Sequence, residues 1–334
     1  MSTRPPITPR CTKGIKQLSF SKTCYFNGPL NALILSDNFQ SILVREWYNF
    51  LKAEQPFDIS EWNNTNYSLS NKYYTQVFQT PINSIEDIEK QEQSIRFRIA
   101  RHALFKVFYH VLCDKPEPTL FKLGLKNEPK TIACAIMHTT QRNSLKEVTK
   151  GGFPFTSFKA LIHTLYQSDY EKKVKIINIR DPMIWSDPPL SENVEVCIFI
   201  VNEDTTNTKI KGMSARISSY GANINIDNHH HDLIVKYMKP NPHMNLDHCA
   251  ISINSFAIQH TIVGIMCEGI PIIVDSMKPQ EIINQEWRYG LSGVNLGYTK
   301  CLKNECGYAY ICYVKAPLRT SNSEQKNKQI CSLA

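Results

Sequence analysis

The sequence predicts an α+β protein in which the helices precede the strands. Before residue 170, apolar residues recur at the three- and four-residue spacing of buried helix faces. After residue 170, short runs rich in Val, Ile, Tyr and Phe follow one another, with Gly, Asn and Asp between them. Helices followed by strands indicate an α+β fold with a mainly antiparallel sheet, whereas strict alternation would indicate a parallel one.

Length and composition predict a chain that buries a large core. Of its 334 residues, 42% are hydrophobic and 20% are charged. Composition predicts four segments along it. They are a flexible lead at residues 1–18, a helical subdomain at 19–170, a β-sheet subdomain at 171–318 and a disordered polar tail at 319–334.

Four segments of the first half predict helices. An apolar run leads from Cys24 to Leu35 and predicts a buried helix, and residues 39–51 carry an amphipathic pattern. Ser84 with Asp87 three residues later resembles a helix start, and the helix is expected to reach Leu112. Residues 156–165, after a Gly151-Gly152 turn, predict a short helix.

Seven segments of the second half predict strands. Residues 194–201 form a nearly continuous β-rich run, as expected of a central strand. The other candidates are residues 174–179, 222–226, 248–253, 261–266, 271–274 and 308–314.

Charge and hydropathy restrict the compartment and the partners. The net charge of +8 is a mild basic excess without a long basic block, so nucleic acid is not the expected partner. A nucleic-acid-associated virion protein is a weaker alternative, supported only by Arg96, Arg98 and Arg101. No apolar run reaches the ~20 residues of a membrane span. No signal peptide opens the chain, so we expect a reducing, cytoplasmic location with free thiols among the 11 cysteines.

Cys24 is the candidate nucleophile. It lies between a polar turn and the apolar run, where the N-terminus of a helix lowers a thiol pKa. The alternative for such a cysteine is a small buried hydrophobic residue. Pro29 leaves two possible helix starts, at Cys24 or with a cap at Asn27, because proline lacks the N–H that a helix interior needs.

His260 and Asp275 are the candidate partners of that thiol. His260 opens a predicted strand, residues 267–270 predict a tight turn, and the return strand ends at Asp275. In such a hairpin the two strand ends would be neighbours, so the carboxylate would orient the imidazole. An ordinary hairpin with polar ends is the alternative.

The two segments resemble the cysteine and histidine boxes of papain-fold thiol proteases. Thr-Cys-Tyr-Phe-Asn at 23–27, followed by an apolar helix, resembles the cysteine box of ubiquitin-specific proteases. It is closer still to the related proteases predicted in large DNA viruses, which also have a Gly-Gly turn and helix between the boxes. Gln259 to Asp275 resembles their histidine box. The resemblance covers the two boxes and their spacing, and it implies a papain-like fold.

The resemblance also implies roles. Cys24 would be the nucleophile, His260 the base and then the acid, and Asp275 the orienting group, in a thiol hydrolase that is deubiquitinase-like or processes a viral precursor. The substrate would be a protein, and no cofactor or metal is implied. Where ubiquitin-specific proteases place an oxyanion-binding Asn, this chain has Ser19, so the oxyanion candidates are Gln17, Ser19, Ser21 and backbone N–H groups. If the protein is viral, the location is the host cytoplasm or the virion.

Two further alternatives follow from the residues. A catalytically inactive protein of the same fold could bind a ubiquitin-like or viral partner, because Ser19, Gly28 and Pro29 depart from the catalytic pattern. The histidines at 229–231 and the cysteines at 301, 306 and 312 have the wrong number or spacing for a closed zinc site, so we expect a polar turn and buried thiols there.

Overall fold

The computed structural model describes residues 24–53, 90–112, 154–178, 190–200, 246–255, 260–275, 283–284 and 306–315. All helices of these residues precede all of their strands, which confirms the α+β class. The helices are α1 (Cys24–Leu35), α2 (Asp37–Ala53), α3 (Gln93–Leu112), α4 (Pro154–Tyr166) and α5 (Tyr170–Lys173), with a 3₁₀ turn at Gln167–Asp169.

Helix α1 is a buried helix rather than an amphipathic one. Every residue from Tyr25 to Leu35 is buried, including the polar Asn27 and Asn31, so protein surrounds the helix on all sides. The helix begins at Cys24, so the alternative with a cap at Asn27 is wrong. Pro29 within the helix removes one backbone hydrogen bond and costs about 3 kcal/mol. Burial of each large apolar side chain contributes about 1.5–3 kcal/mol, so the several leucines of α1 outweigh that cost.

The amphipathic helices follow their predicted faces. Helix α2 buries Phe39, Ile42, Leu43, Trp47 and Phe50 at helical spacing. Helix α4 begins at Pro154, a first position where proline is tolerated, and matches the predicted helix at 156–165.

The start predicted for α3 is wrong. Residues 90–92 are not helical and α3 begins at Gln93, so no continuous helix runs from Ser84 to Leu112. Lys90, Gln91 and Glu92 have no apolar side chain to pack against the core, and most helices depend on such packing.

One seven-stranded sheet contains the strands of the described residues. The strands are β1 (Val174–Asn178), β2 (Val196–Ile200), β3 (Leu246–Ser255), β4 (His260–Cys267), β5 (Ile270–Val274), β6 (Ile283–Asn284) and β7 (Cys306–Lys315). Their order is β1-β2-β7-β3-β4-β5-β6. All pairs are antiparallel except β1 with β2, which confirms the mainly antiparallel prediction.

Most predicted strands lie where the sequence places them, with ends that differ by a few residues. The short strand β6 was not predicted, and the candidate at 222–226 lies outside the described residues. Residues 194 and 195 precede β2, which begins only at Val196.

In β2, β4, β5 and β7, the side chains that the structure describes are buried on both faces of the sheet, apart from the half-buried Pro271 and Lys315. Alternate residues such as Val263, Ile265, Tyr310 and Cys312 belong to the core that the helices share. The residues between them point to the other face by strand alternation. They are buried as well and include Cys197, Phe199, Ile262, Met266, Ile273, Ile311 and Tyr313. In the central part of the sheet, β2, β4 and β7 therefore carry buried apolar residues at both odd and even positions.

A charged cluster joins the helices to the start of β2. The Glu195 carboxylate accepts hydrogen bonds from both Nη atoms of Arg45 at 3.0 and 2.6 Å, from Lys173 Nζ at 2.7 Å and from Tyr166 Oη at 2.9 Å. Its backbone N–H donates to the Lys173 carbonyl, and its carbonyl accepts from the N–H of Lys315. Side chains of α2, α4 and α5 thus converge on the residue before β2.

Candidate active site

Cys24 is the first residue of α1 and the only residue of that helix that is not buried. Its sulfur is a thiol and not part of a disulfide. The N-terminal end of a helix carries partial positive charge, which favours the thiolate form. Cys24 therefore combines access to solvent with the end of a helix that the rest of the core holds in place.

A close contact fixes α1 against β4. A methyl group on the Gly28 Cα would lie 3.4 Å from Thr261 Cγ2 and 3.9 Å from Val263 Cβ. The helix therefore lies directly on the face of β4 that carries these two side chains.

A second contact lies at the other end of the same strand. Both oxygens of the Asp37 carboxylate, just beyond α1, accept backbone N–H groups of the β4–β5 turn. The Glu268 nitrogen lies 2.7 Å from Oδ1 and the Gly269 nitrogen 2.8 Å from Oδ2. Gly28 lies beside the first residues of β4, and Asp37 binds the turn that follows its last residue. Helix α1 and strand β4 therefore run in the same direction.

This alignment puts Cys24 level with the start of β4. Cys24 lies one helical turn before Gly28, about 6 Å at a rise of about 1.5 Å per residue. Two strand residues cover about the same length. Counting back from Thr261 and Val263 leads to the first residue of β4, His260, so the match concerns the level along the strand; by alternation, position 260 belongs to the face of position 262 and not to that of Thr261 and Val263. The backbone of His260 pairs with Ser255 of β3, and its side chain lies outside the described part of the structure.

Asp275 directly follows β5, and only 6% of it is exposed. Val263 pairs with Val274, so continuing the register by one residue sets Asp275 opposite Ile262. Asp275 is thus offset from His260 by two residues and is not its direct partner. The expected side-by-side placement needs this correction, because β4 is longer than β5. Diagonal neighbours of this kind lie about 7–8 Å apart, within the reach of longer side chains.

The turn between the two strands is as predicted. Cys267 pairs with Ile270, which leaves Glu268 and Gly269 as the turn residues. Both have positive φ, 51° and 74°, as a tight two-residue hairpin requires.

One cysteine departs from the expectation of free thiols. Cys267 is disulfide-bonded, and its partner is not among the side chains that the structure describes. Cys197 and Cys312 are buried thiols. Burial raises the pKa of the Cys197 thiol, so this cysteine is poorly suited to act as a nucleophile.

Other candidate residues lie outside the described residues. These are Gln17, Ser19, Ser21, the histidines at 229–231 and Cys301. Within the described ranges, no group of three His, Cys, Asp or Glu side chains could hold a metal ion. The same ranges contain no helix of the length and hydropathy that would cross a membrane.

Sequence reasoning missed the contact between Asp37 and the turn. A carboxylate at the first position of a helix is expected from the helix dipole alone. The acceptor and its donors are 231 and 232 residues apart, and nothing in either segment links them.

Comparison of the chain with models of protein families finds no match, and comparison with curated proteins finds none. The candidate site consists of a half-buried thiol at a helix start, level with the start of a strand that begins with histidine, and a buried carboxyl group after the neighbouring strand.

Proposed function

We propose that this protein is a cysteine peptidase of the papain-like, ubiquitin-specific-protease type. The observation that carries the proposal is the position of Cys24, a half-buried thiol at the first residue of a buried helix. Counting back along helix and strand from the Gly28 contact with Thr261 supports a level match with the start of β4. The resemblance of residues 23–27 and 259–275 to the two boxes of these proteases supports it independently.

The proposed reaction is acyl transfer to a thiol. His260 takes the Cys24 proton, and the thiolate attacks the carbonyl carbon of a peptide or isopeptide bond. The imidazolium then donates its proton to the leaving amine, which leaves a thioester on Cys24. Water, deprotonated by His260, hydrolyses the thioester and releases the acid and the free thiol. Asp275 keeps His260 in the required tautomer and stabilises its charged form.

The proposed substrate is a protein, either a ubiquitin-like conjugate or a viral precursor. Both present an extended segment with an amide carbonyl to the thiol. The oxyanion of the tetrahedral intermediate would be bound by the backbone N–H groups at the start of α1, with Gln17, Ser19 or Ser21 as side-chain candidates.

The first test is selective modification of Cys24. We expect a ubiquitin probe with a C-terminal electrophile, or a peptide chloromethyl ketone, to label the wild-type protein and not Cys24→Ala. A Cys312→Ala variant serves as the matched control because Cys312 is also a thiol, but a buried one. Undiminished labelling of Cys24→Ala would contradict the assignment.

The second test separates an active enzyme from a binding protein. We expect His260→Ala to shift the alkylation of Cys24 to more alkaline pH, towards the ordinary cysteine pKa of about 8.5. Asp275→Asn is expected to shift it in the same direction by a smaller amount. If Cys24 has an ordinary thiol profile in the wild type while the protein binds a ubiquitin-like partner, the protein is a non-catalytic binder.

A further inference from the structure

The Asp37 carboxylate attaches the segment after α1 to the β4–β5 turn through two hydrogen bonds. Two successive backbone N–H groups, both from residues with positive φ, donate to the two oxygens of one carboxylate at 2.7 and 2.8 Å. Successive N–H groups of this kind form a small anion-binding concavity. Hydrogen bonds to an ionised acceptor are about twice as strong as neutral ones.

This attachment lies at the opposite end of α1 from Cys24. A helix of 12 residues is about 18 Å long and does not compress easily. Helix α1 is buried along its length and approaches Thr261 and Val263 at Gly28, so the Gly28 contact near one end and the Asp37 contact beyond the other both set its position along β4. Fixing the far end of the helix against the far end of the strand therefore fixes where Cys24 lies along β4.

We propose that Asp37 is a positioning residue that holds Cys24 in alignment with the start of β4. The inference rests on the proposed function, because it assigns Asp37 a role in pairing Cys24 with His260. It goes beyond that function because Asp37 touches neither group. A displacement of about 1 Å between reacting groups can cost about 100-fold in rate, so an attachment remote from the chemistry can control it.

The test measures the pH at which Cys24 of the full-length protein reacts with iodoacetamide, quantified by mass spectrometry. We expect a midpoint below the ordinary thiol pKa in the wild type. We expect Asp37→Asn, which keeps the shape but loses the charge and one acceptor, to raise that midpoint and to slow the reaction at neutral pH about tenfold or more. Asp37→Glu keeps the charge, and we expect its midpoint to lie between those of the wild type and Asp37→Asn.

Tyr166→Phe is the matched control, because it removes one hydrogen bond to the carboxylate of Glu195, which precedes β2 and is separated from β4 by β7 and β3 in the sheet. We expect it to lower the melting temperature about as much as Asp37→Asn and to leave the midpoint of Cys24 unchanged. The inference would be overturned if Cys24 had the same alkylation midpoint in Asp37→Asn as in the wild type, while Asp37→Asn and Tyr166→Phe lost the same melting temperature. Asp37 would then only stabilise the turn. If Asp37→Asn fails to fold, an unshifted midpoint in Asp37→Glu, whose extra methylene displaces the attachment, overturns the inference.

The proposed function fails in a different way. An ordinary thiol midpoint in the wild type would overturn both proposals. A depressed midpoint that depends on His260 but not on residue 37 would overturn only the role of Asp37.

Discussion

Gly28 shows how much one missing side chain matters at the candidate site. It lies where α1 approaches β4, and a single added methyl group would already be in van der Waals contact with Thr261 and Val263. Glycine is normally unfavourable inside a helix, by about 1 kcal/mol relative to alanine. The close approach of helix and strand explains why the helix accepts it here.

The size limit at Gly28 is testable with two substitutions. Gly28→Ala adds a methyl group that the contact distances allow, so we expect a free energy of unfolding within about 1 kcal/mol of wild type. Gly28→Val adds two further methyl groups against Thr261, and we expect a loss of about 1–3 kcal/mol from overpacking. Urea unfolding measures both.

Ser41→Val on the exposed side of α2 controls for the placement of a β-branched side chain in a helix. If Gly28→Val were no less stable than Ser41→Val, α1 would not approach β4 as closely as the distances indicate.

At the scale of single residues, the sequence predicted the setting of Cys24 but left the exact start of its helix open. It identified Cys24 as a thiol at the end of a buried helix, but Pro29 left the helix start open because propensity and burial favour different answers. The sequence does not contain the offset between His260 and Asp275, which depends on where β5 ends relative to β4.

Among the elements, the joint between the helices and β2 depends on one carboxylate. Burial alone would raise the pKa of Glu195, but the hydrogen bonds from Arg45 and Lys173 outweigh it and hold the pKa below its ordinary value of 4.5. A carboxyl group whose pKa is lower in the folded state stabilises the fold above its unfolded-state pKa. That contribution disappears as the pH falls through the folded-state pKa.

We therefore expect Glu195→Gln to cost about 2 kcal/mol of unfolding free energy at neutral pH, the scale of charged hydrogen bonds in a partly exposed cluster. The gap between wild type and variant should shrink as the pH falls below 4.5. Urea unfolding at neutral and acidic pH measures it. Glu192→Gln makes the same change at an exposed carboxyl group nearby and should have little effect at either pH. A gap that stays constant with pH would mean that the charge of Glu195 is not what stabilises the joint.

The helices and strands were easier to predict than the way they join. Local apolar spacing located α1, α2, α4 and most strands, because burial of one face leaves a periodic pattern. The parallel pairing of β1 with β2 and the start of α3 depend on distant contacts, which no local pattern records. The same holds for Glu195, whose partners come from three helices.

For the molecule as a whole, the sequence predicts the class and the order of helices and strands but not the depth of burial. A strand with apolar residues at both odd and even positions indicates a sheet that is covered on both faces. That signal was present in residues 194–201 but weaker elsewhere. The oxidation state of the chain was also mispredicted at Cys267, since cysteine spacing alone does not reveal which thiols meet.

The disulfide can be checked on the unfolded protein. We expect Ellman's reagent, applied in denaturant without reductant, to detect at least two fewer thiols than the 11 that appear after reduction. Before reduction, Cys267→Ser should show one more reactive thiol than the wild type, because the former partner of Cys267 is released. Detection of all 11 thiols before reduction would show that Cys267 is a free thiol in the isolated protein.

The place of β7 in the sheet has a consequence for how the protein is made. This strand comes last in sequence among those described, yet it lies between β2 and β3 and pairs with both. While the ribosome is still translating the residues before 306, β2 and β3 each lack their neighbour on one side. Unpaired edges of apolar strands invite association with other chains. The nascent polypeptide must therefore remain shielded until a late segment fills the middle of the sheet.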